Sequence, residues 1–212
     1  MIISSAQFVV SNSDYNKCPV EDKPEYAFIG RSNVGKSSLI NMLTRHKKLA
    51  KISETPGKTR LINHFLINES WYLVDLPGYG YAKAPKSIRA TFSAIITKYL
   101  EKRKNLMNTF QLIDVRLEPQ PIDLKFMEWM ANHGLPFTLV FTKADKLGNS
   151  ELHQNITTYK NHLLQTWEEL PDIIITSSKE GKGEEELLKV IEDTNLIFTP
   201  LNMKLRNKPA CL

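Results

Sequence analysis

The sequence predicts an α/β domain of three layers, an αβα sandwich around a six-stranded, mostly parallel sheet with one antiparallel strand. Short apolar runs rich in β-branched and aromatic residues alternate with segments whose apolar residues recur every three or four positions. This alternation is typical of parallel sheets with crossover helices. A link of about three residues between the second and third runs is too short for a crossover, so that pair is predicted to be an antiparallel hairpin.

Six runs have the length and composition of strands: EYAFIG (25–30), LINHFLI (61–67), WYLVDL (71–76), TFQLIDV (109–115), PFTLVFT (136–142) and DIIIT (172–176). Helical patterns lie between most of them, at residues 36–47, 86–104, 121–133, 150–168 and 183–197. We predict one domain over residues 23–198. An N-terminal extension (1–22) and a basic C-terminal tail (199–212) flank it.

Composition sets the broad class of the protein. Hydrophobic residues make up 42% and charged residues 24% of the chain, as in ordinary globular proteins. No run of about 18 apolar residues is present, and the start, MIISSAQFVV, lacks the basic region of a secretion signal. We therefore expect a cytoplasmic monomer without a membrane span.

Positive charge is concentrated in three stretches of the chain. The net charge is +5, yet residues 45–60, 82–104 and 198–212 together carry +14, which leaves −9 on the rest. Clustered basic residues on an acidic body favour a polyanionic partner such as RNA. The alternative is that these Lys and Arg residues decorate solvated helix faces.

The first strand runs into GRSNVGKS (30–37), which matches GxxxxGK[ST]. Glycines at both ends let the backbone curl so that N–H groups point at phosphate oxygens, and the following helix adds its positive N-terminal end. Lys36 is expected to reach the β- and γ-phosphates, and the Ser37 hydroxyl to ligate Mg²⁺. The motif predicts a P-loop NTPase fold whose phosphate-binding residues are Gly30, Arg31, Ser32, Asn33, Val34, Gly35, Lys36, Ser37 and Ser38.

Residues 142–145 read TKAD at the end of a predicted strand, and Lys143 of this motif follows Lys36 by 107 positions. Asp145 can accept two hydrogen bonds from guanine, whereas adenine would leave a buried carboxylate unpaired. The stem of Lys143 would cover the purine ring, and a backbone N–H after the last strand can donate to guanine O6. Ligands of such sheets bind beyond the carboxyl ends of the strands. The predicted guanine site, typical of small GTPases, comprises Thr142, Lys143, Asp145, Thr176, Ser177 and Ser178.

The stretch DLPGYGYA (75–82) has the form of a nucleotide switch after a buried strand. Asp75 stands where a carboxylate holds Mg²⁺ through water, and the Gly78 N–H can reach the γ-phosphate. We predict Lys36 and Gly78 as the catalytic residues. Loss of the γ-phosphate is expected to release this loop and the one at residues 52–60.

The loop ISETPGKTR (52–60) supplies the second half of the predicted switch. Thr59 is our choice for the hydroxyl that closes on Mg²⁺, with Gly57 and Lys58 beside the nucleotide. Thr55 is the alternative. Ser37, Thr59 and Asp75 are thus the predicted metal-binding set.

Together, GRSNVGKS, TPGKTR, DLPGYGYAKAP, TKAD and TSSKEGKG resemble the EngB family of bacterial GTPases, one of the translation-related GTPases, over residues 2–198. The resemblance implies Mg²⁺-dependent GTP hydrolysis and Ser37 and Thr59 as magnesium ligands. It also implies a role in assembling the large ribosomal subunit, with ribosomal RNA and ribosomal proteins as partners, needed for normal cell division and septation.

Tyr79 stands where small signalling GTPases carry a water-orienting Gln. A Tyr has no short amide, so unaided hydrolysis is predicted to be slow. A group from the partner could substitute, or a monovalent cation, since Asn33 resembles the potassium-ligating Asn of related GTPases. The alternative for Asn33 is a loop residue that tolerates unusual backbone angles.

Aromatic and basic side chains after the switch, Tyr79, Tyr81 and Lys83, suit contact with RNA or ribosomal protein. The alternative is a structural loop packed under the next helix. Two rival functions also stay open: a nucleotide-gated binding module without useful turnover, and a metabolic kinase, which the guanine-reading TKAD disfavours.

Overall fold

The computed structural model describes residues 1–45, 61–79 and 86–198, with residues 86–93 described through their backbone alone. Its strands are β1 (Ala6–Asn12), β2 (Glu25–Gly30), β3 (Ile62–Ile67), β4 (Trp71–Asp75), β5 (Leu106–Asp114), β6 (Phe137–Thr142) and β7 (Ile173–Ile175). Its helices are α1 (Lys36–Leu43), α2 (Lys86–Lys102), α3 (Pro121–Asn132), α4 (Asn149–Leu163) and α5 (Glu184–Ile197). Short 3-10 turns cover Tyr15–Lys17 and Ala144–Lys146.

The described strands form one sheet in the order β1-β3-β4-β2-β5-β6-β7. The α/β architecture is confirmed, and so is the single antiparallel strand: β3 runs against both of its neighbours, β1 and β4, while the pairs from β4 to β7 are parallel. The five predicted helices are all present. The predicted helix over 150–168 is shorter than expected and ends at Leu163.

The predicted strand count of six is wrong, because the structure has a seventh strand, β1, within the predicted N-terminal extension. This strand adds to the edge of the hairpin by pairing with β3. A register shift between Phe8 and Val10 interrupts the pairing, and such a bulge disturbs the two-residue alternation by which a strand is recognised. The pairing partner is also about 55 residues away in sequence, so no local turn signal marks it.

Side chains of the central strands point alternately to the two faces of the sheet. Tyr26 and Phe28 of β2 join the core under α1 and α5, whereas Ala27 and Ile29 join the core under α2 and α3. A third cluster packs α3 and α4 against β5 and β6. These cores confirm the three-layer sandwich. Within the described ranges, no helix combines the length and apolar character needed to cross a bilayer.

A buried cluster of charged residues connects the C-terminal end of α2 to the first residue of β2, at the opposite end of this strand from the phosphate loop. Glu25 accepts hydrogen bonds from the Tyr99 hydroxyl at 2.6 Å and from Arg103 Nε at 3.1 Å, and His64 Nε2 lies 3.3 Å from its other oxygen. Burial alone would raise the pKa of Glu25, but His64 and Arg103 lower it to about 2. The carboxylate therefore stays ionised in the interior.

The parallel strands place the predicted motifs together. In the sheet, Phe28 is paired with Asp75, Gly30 with Leu112, and Asp114 with Thr142. At the carboxyl ends of these parallel strands the loops therefore lie side by side: those after β2, β4, β5, β6 and β7. Open α/β sheets bind their ligands at this end.

Candidate nucleotide-binding site

The loop between β2 and α1 curls through two left-handed residues. Asn33 has φ of 64° and Gly35 has φ of 106°. Gly35 can adopt this angle because it has no Cβ, and Asn is among the residues that tolerate the left-handed region. The curl brings α1 to begin at Lys36, so the positive N-terminal end of the helix faces the loop, as a phosphate site requires.

Lys36 and Asp75 form a buried ion pair at the mouth of β2 and β4. Lys36 Nζ contacts Asp75 Oδ1, and Asn63 Nδ2 lies 3.4 Å from Asp75 Oδ2. Burial lowers the pKa of Lys36 to about 7, while the adjacent carboxylate favours its charged form. The lysine predicted to hold phosphates and the carboxylate predicted to serve magnesium therefore meet at one point, next to Ser37.

The chain after β4 runs along the phosphate loop. The Leu76 N–H donates to Phe28 O at 3.0 Å and the Tyr79 N–H donates to Gly30 O at 3.2 Å. A Cβ on Gly78 would lie 3.0 Å from Gly30 O and 3.5 Å from Ser32 N. The backbone of Gly78 thus lies directly against the loop between β2 and α1.

The end of β6 is bonded directly to the phosphate loop. Thr142 Oγ1 donates to Val34 O at 2.6 Å. Lys143 Nζ donates to Asn33 O at 2.7 Å and to Asp114 Oδ2 at 2.8 Å. The two predicted base-side residues are therefore joined to the predicted phosphate-side residues.

Asp145 follows Thr142 and Lys143 in the chain, and only 6% of its side chain is exposed. Its Oδ1 accepts a hydrogen bond from Ser177 Oγ at 2.9 Å, and its Oδ2 lies 3.4 Å from Lys146 Nζ. Burial raises the pKa of Asp145, but Ser177 and Lys146 outweigh it, so the net shift is downward. The carboxylate is ionised and held in one orientation, as an acceptor of two N–H groups must be.

The segment after β7 is shaped by one close approach. A Cβ on Gly183 would lie 2.6 Å from Ile175 O, so this position requires glycine. The chain between Ser177 and Lys182 folds back on itself, and the Ser177 N–H donates a hydrogen bond to Lys182 O at 3.1 Å. Thr176 and Ser177 are fully buried, and the next residue, Ser178, lines the same cavity as Asp145.

A cavity of about 620 Å³ opens between the phosphate loop and the Asp145 region. Six of its lining residues belong to the predicted nucleotide site: Gly35, Ser38, Thr142, Lys143, Asp145 and Ser178. Five others were not predicted: Asn41, Met42, Arg45, Lys146 and Lys179. Lys179 directly follows the predicted TSS stretch and could have been included. Asn41 and Met42 of α1, and Arg45 just after it, could not be recognised from the sequence, because residues of these types occur on the surface of any helix.

The side chain of Tyr79 turns away from the phosphate loop. Its ring packs against Phe126 of α3 at 4.8 Å, and its hydroxyl accepts a hydrogen bond from Gln111 Nε2 at 2.8 Å. Tyr79 therefore fits the alternative of a structural loop that packs under a helix. The helix is α3, and not α2, which follows the loop in the chain. The remaining predicted residues, Thr55, Gly57, Lys58, Thr59, Tyr81 and Lys83, lie outside the described residues, as does the tail.

A phosphate loop joined by hydrogen bonds to an aspartate-bearing base pocket, on this fold, defines a P-loop GTPase. The family described as 50S ribosome-binding GTPase matches residues 25–143. The protein described as probable GTP-binding protein EngB from Porphyromonas gingivalis is 58% identical over 195 residues, which are 92% of this chain and 97% of that protein. Its counterpart in Christiangramia forsetii is 55% identical over 92% of this chain and 98% of its own length. The chain belongs to the EngB family of GTP-binding proteins.

Solved structures show the same fold. The crystal structure of a probable GTP-binding protein engB superposes with a TM-score of 0.63 at 25% identity, over 82% of this chain and all of that chain. A variant of Aquifex aeolicus Era bound to GDP·AlF4⁻ superposes with a TM-score of 0.65 at 24% identity, over 82% of this chain and 57% of that one. Era in complex with MgGDPNP and nucleotides 1506–1542 of 16S ribosomal RNA gives 0.64 at 24% identity, over 82% and 57% of the two chains.

Proposed function

We propose that this protein binds GTP and GDP with Mg²⁺, hydrolyses GTP slowly, and acts as a nucleotide switch in assembly of the large ribosomal subunit. The observation that carries the nucleotide part is the oriented, ionised Asp145 on the wall of a cavity that continues to Gly35 of the phosphate loop. Guanine offers two N–H donors to such a carboxylate, and adenine does not offer them on that edge.

Hydrolysis in this proposal depends on positioning and charge stabilisation. Lys36 would hold the phosphates and the Gly78 N–H would bind the γ-phosphate as negative charge develops. The described part of the switch loop has no side-chain amide beside the γ-phosphate, because the side chain of Tyr79 is directed to α3. Nothing in that part of the loop orients the attacking water, which is the physical reason to expect slow turnover.

The described residues suit a magnesium ion. Mg²⁺ prefers hard oxygen ligands and one or two carboxylates together with substrate phosphates. The Ser37 hydroxyl and the Asp75 carboxylate supply such oxygen atoms. Asp75 already contacts the positive charge of Lys36, so its carboxylate lies where a cation is stabilised. We propose Thr59 as the third protein ligand. The ion would neutralise phosphate charge.

A potassium ion is the proposed source of the missing catalytic charge, with Asn33 as its ligand. Asn33 is exposed, and its backbone is held by Lys143 through its carbonyl. Its side-chain oxygen is thus not needed to build the loop. A monovalent cation there would act as an arginine finger does.

The ribosomal part of the proposal has two supports. The matching family is described as 50S ribosome-binding GTPase, and the three basic stretches of the chain suit phosphate contacts. In this proposal the GTP form docks as a cytoplasmic monomer on ribosomal RNA and proteins, and the role in cell division and septation follows from ribosome supply.

The nucleotide proposal is tested by calorimetry with GDP, GTP and ATP on the wild-type protein and on Asp145→Asn. Wild type should prefer guanine nucleotides strongly. The variant should lose that preference and gain affinity for xanthine nucleotides, because an Asn side chain can donate to the xanthine O2. ATP binding as tight as GTP binding, or an unaltered preference in the variant, would overturn the proposal.

The ribosomal proposal is tested by sedimentation with ribosomal subunits in GDP, GTP and a non-hydrolysable analogue, at two salt concentrations. Binding to the large subunit should require the triphosphate and fall steeply with salt, because phosphate contacts release counterions. Equal binding in all nucleotide states would contradict the switch. Triphosphate-dependent docking without hydrolysis, even on particles, would favour the binding module instead.

A further inference from the structure

The residue that replaces the usual catalytic glutamine is anchored at both ends. On the backbone side, the Tyr79 N–H donates to Gly30 O at 3.2 Å, and Tyr79 forms a parallel bridge with Arg31. On the side-chain side, its hydroxyl accepts a 2.8 Å hydrogen bond from Gln111 Nε2. Tyr79 thus ties the phosphate loop to the interior of the domain.

Gln111 is held as firmly as the tyrosine it contacts. It lies on β5, fully buried, paired with Ile29 of β2 and Leu139 of β6. Its Nε2 also donates to Asp123 O, in the first turn of α3, at 3.1 Å. The two N–H groups of one amide therefore bridge a tyrosine hydroxyl and a helix carbonyl, which sets the direction of the amide.

The slot that receives Tyr79 is apolar apart from Gln111 and the buried carboxylate of Asp123, which lies beside the Tyr79 hydroxyl. The Tyr79 and Phe126 rings lie 4.8 Å apart at 32°, and Phe126 stacks on Trp129 at 5.8 Å. Burial raises the pKa of Tyr79 well above its usual value, and the neighbouring Asp123 adds to the rise. The hydroxyl stays neutral, so the bond to Gln111 joins two neutral groups.

This anchor acts on Gly78, the adjacent residue. A Cβ there would lie 3.0 Å from Gly30 O, so the loop is already at van der Waals distance from the phosphate loop. Movement of Tyr79 out of its slot would move the Gly78 N–H with it. A displacement of about 1 Å in a positioning group can cost about 100-fold in rate.

We propose that Gln111 is a positioning residue for GTP hydrolysis: by holding the Tyr79 hydroxyl, it fixes the Gly78 backbone N–H at the γ-phosphate. This inference rests on the proposed GTPase activity. A glutamine thus serves the reaction from a core strand, where it holds the loop rather than the water.

The test compares Tyr79→Phe, Gln111→Leu and the double variant in single-turnover hydrolysis of preloaded GTP, with GDP affinity and thermal unfolding measured alongside. Tyr79→Phe keeps the ring contact with Phe126 and removes only the hydroxyl. Each single variant should slow hydrolysis by about three- to tenfold, the worth of one hydrogen bond. GDP affinity should stay within about twofold, because the base and phosphate contacts are untouched.

The double variant separates positioning from general loss of stability. Both single changes remove the same bond, so hydrolysis by the double variant should be no slower than by Gln111→Leu alone. The matched control is Tyr26→Phe, which removes a buried tyrosine hydroxyl bonded to Thr194 and Asn195 of α5, at the far end of β2. It should lower the unfolding temperature without changing the hydrolysis rate.

Two failures are distinguishable. If wild type hydrolyses GTP while Tyr79→Phe and Gln111→Leu match it, the positioning role is wrong and the GTPase proposal stands. Additive losses in the double variant, or an equal loss in Tyr26→Phe, would also overturn the positioning role. If wild type binds GTP and never hydrolyses it, both proposals fall.

Discussion

The Thr142 hydroxyl donates a 2.6 Å hydrogen bond to the main-chain carbonyl of Val34, and its oxygen also lies 3.1 Å from Ile113 O. This single buried group joins the end of β6, which carries the residues proposed to read the base, to the loop proposed to bind phosphate. The distance between the two halves of the proposed nucleotide site is therefore set by contacts within the protein.

Removal of this hydroxyl should weaken nucleotide binding. In Thr142→Val the shape is kept, but the Val34 carbonyl loses a buried partner, which costs about 1–3 kcal/mol. We expect GDP affinity to fall by about tenfold or more, measured by fluorescent-nucleotide titration. Thr138→Val is the matched control, since Thr138 is buried at the other end of β6 and contacts Asn108. Equal losses in both variants would mean that Thr142 acts through stability alone.

Gly78→Ala should impair hydrolysis more than binding. The added Cβ would lie 3.0 Å from Gly30 O, so the switch loop would have to move away from the phosphate loop. We expect hydrolysis to slow by about tenfold or more, with GDP affinity nearly unchanged, because GDP lacks the γ-phosphate that this loop would contact. Gly148→Ala is the control: nothing lies within 4 Å of its added Cβ. A Gly78→Ala protein with normal turnover would remove Gly78 from the catalytic set.

Potassium should accelerate hydrolysis if Asn33 binds a cation. We expect GTP turnover about tenfold faster in KCl than in NaCl, and loss of that difference in Asn33→Gly. Glycine is the appropriate replacement because residue 33 has φ of 64°, which alanine would adopt only with strain. Equal rates of the wild-type protein in the two salts would exclude the cation as the substitute for the missing amide.

Stability should fall in acid because of Glu25. Its pKa is lowered from 4.5 to about 2 in the folded protein, so its stabilisation is present above pH 4.5 and is lost as the pH falls toward 2. The difference corresponds to about 3 kcal/mol. Urea unfolding at pH 7 and at steps down to pH 2 measures it.

Arg103→Met tests the source of that stabilisation. Loss of the guanidinium leaves Glu25 with less compensation in the interior, which should cost about 3–5 kcal/mol at pH 7 and flatten the acid dependence. Lys189→Met is the control, because the Lys189–Asp193 pair is exposed on α5 and contributes little. An Arg103→Met protein with the acid profile of wild type would show that other groups dominate acid unfolding.

Local patterns in the sequence predicted most of the fold and the candidate phosphate loop. GRSNVGKS, TKAD and DLPG are recognisable because their chemistry resides in consecutive residues: the positive backbone angles at Asn33 and Gly35 and the close approach of Gly78 are properties of short segments. The strands from Glu25 to Ile175 were likewise predicted from apolar runs bounded by turn residues. β1 was missed because its edge pairing with β3 contains a bulge and spans a long loop.

The sequence by itself therefore determined the fold class and the local form of the loop at residues 30–37, and it singled out Asp145 as the candidate guanine-reading carboxylate, since each depends on near neighbours in the chain. Only the tertiary structure decided which way Tyr79 points, that Gln111 contacts its hydroxyl, and that Thr142 joins the end of β6 to the loop between β2 and α1. Those contacts link residues 32 and 108 positions apart. Their geometry follows from strand register and helix packing, which no local pattern encodes.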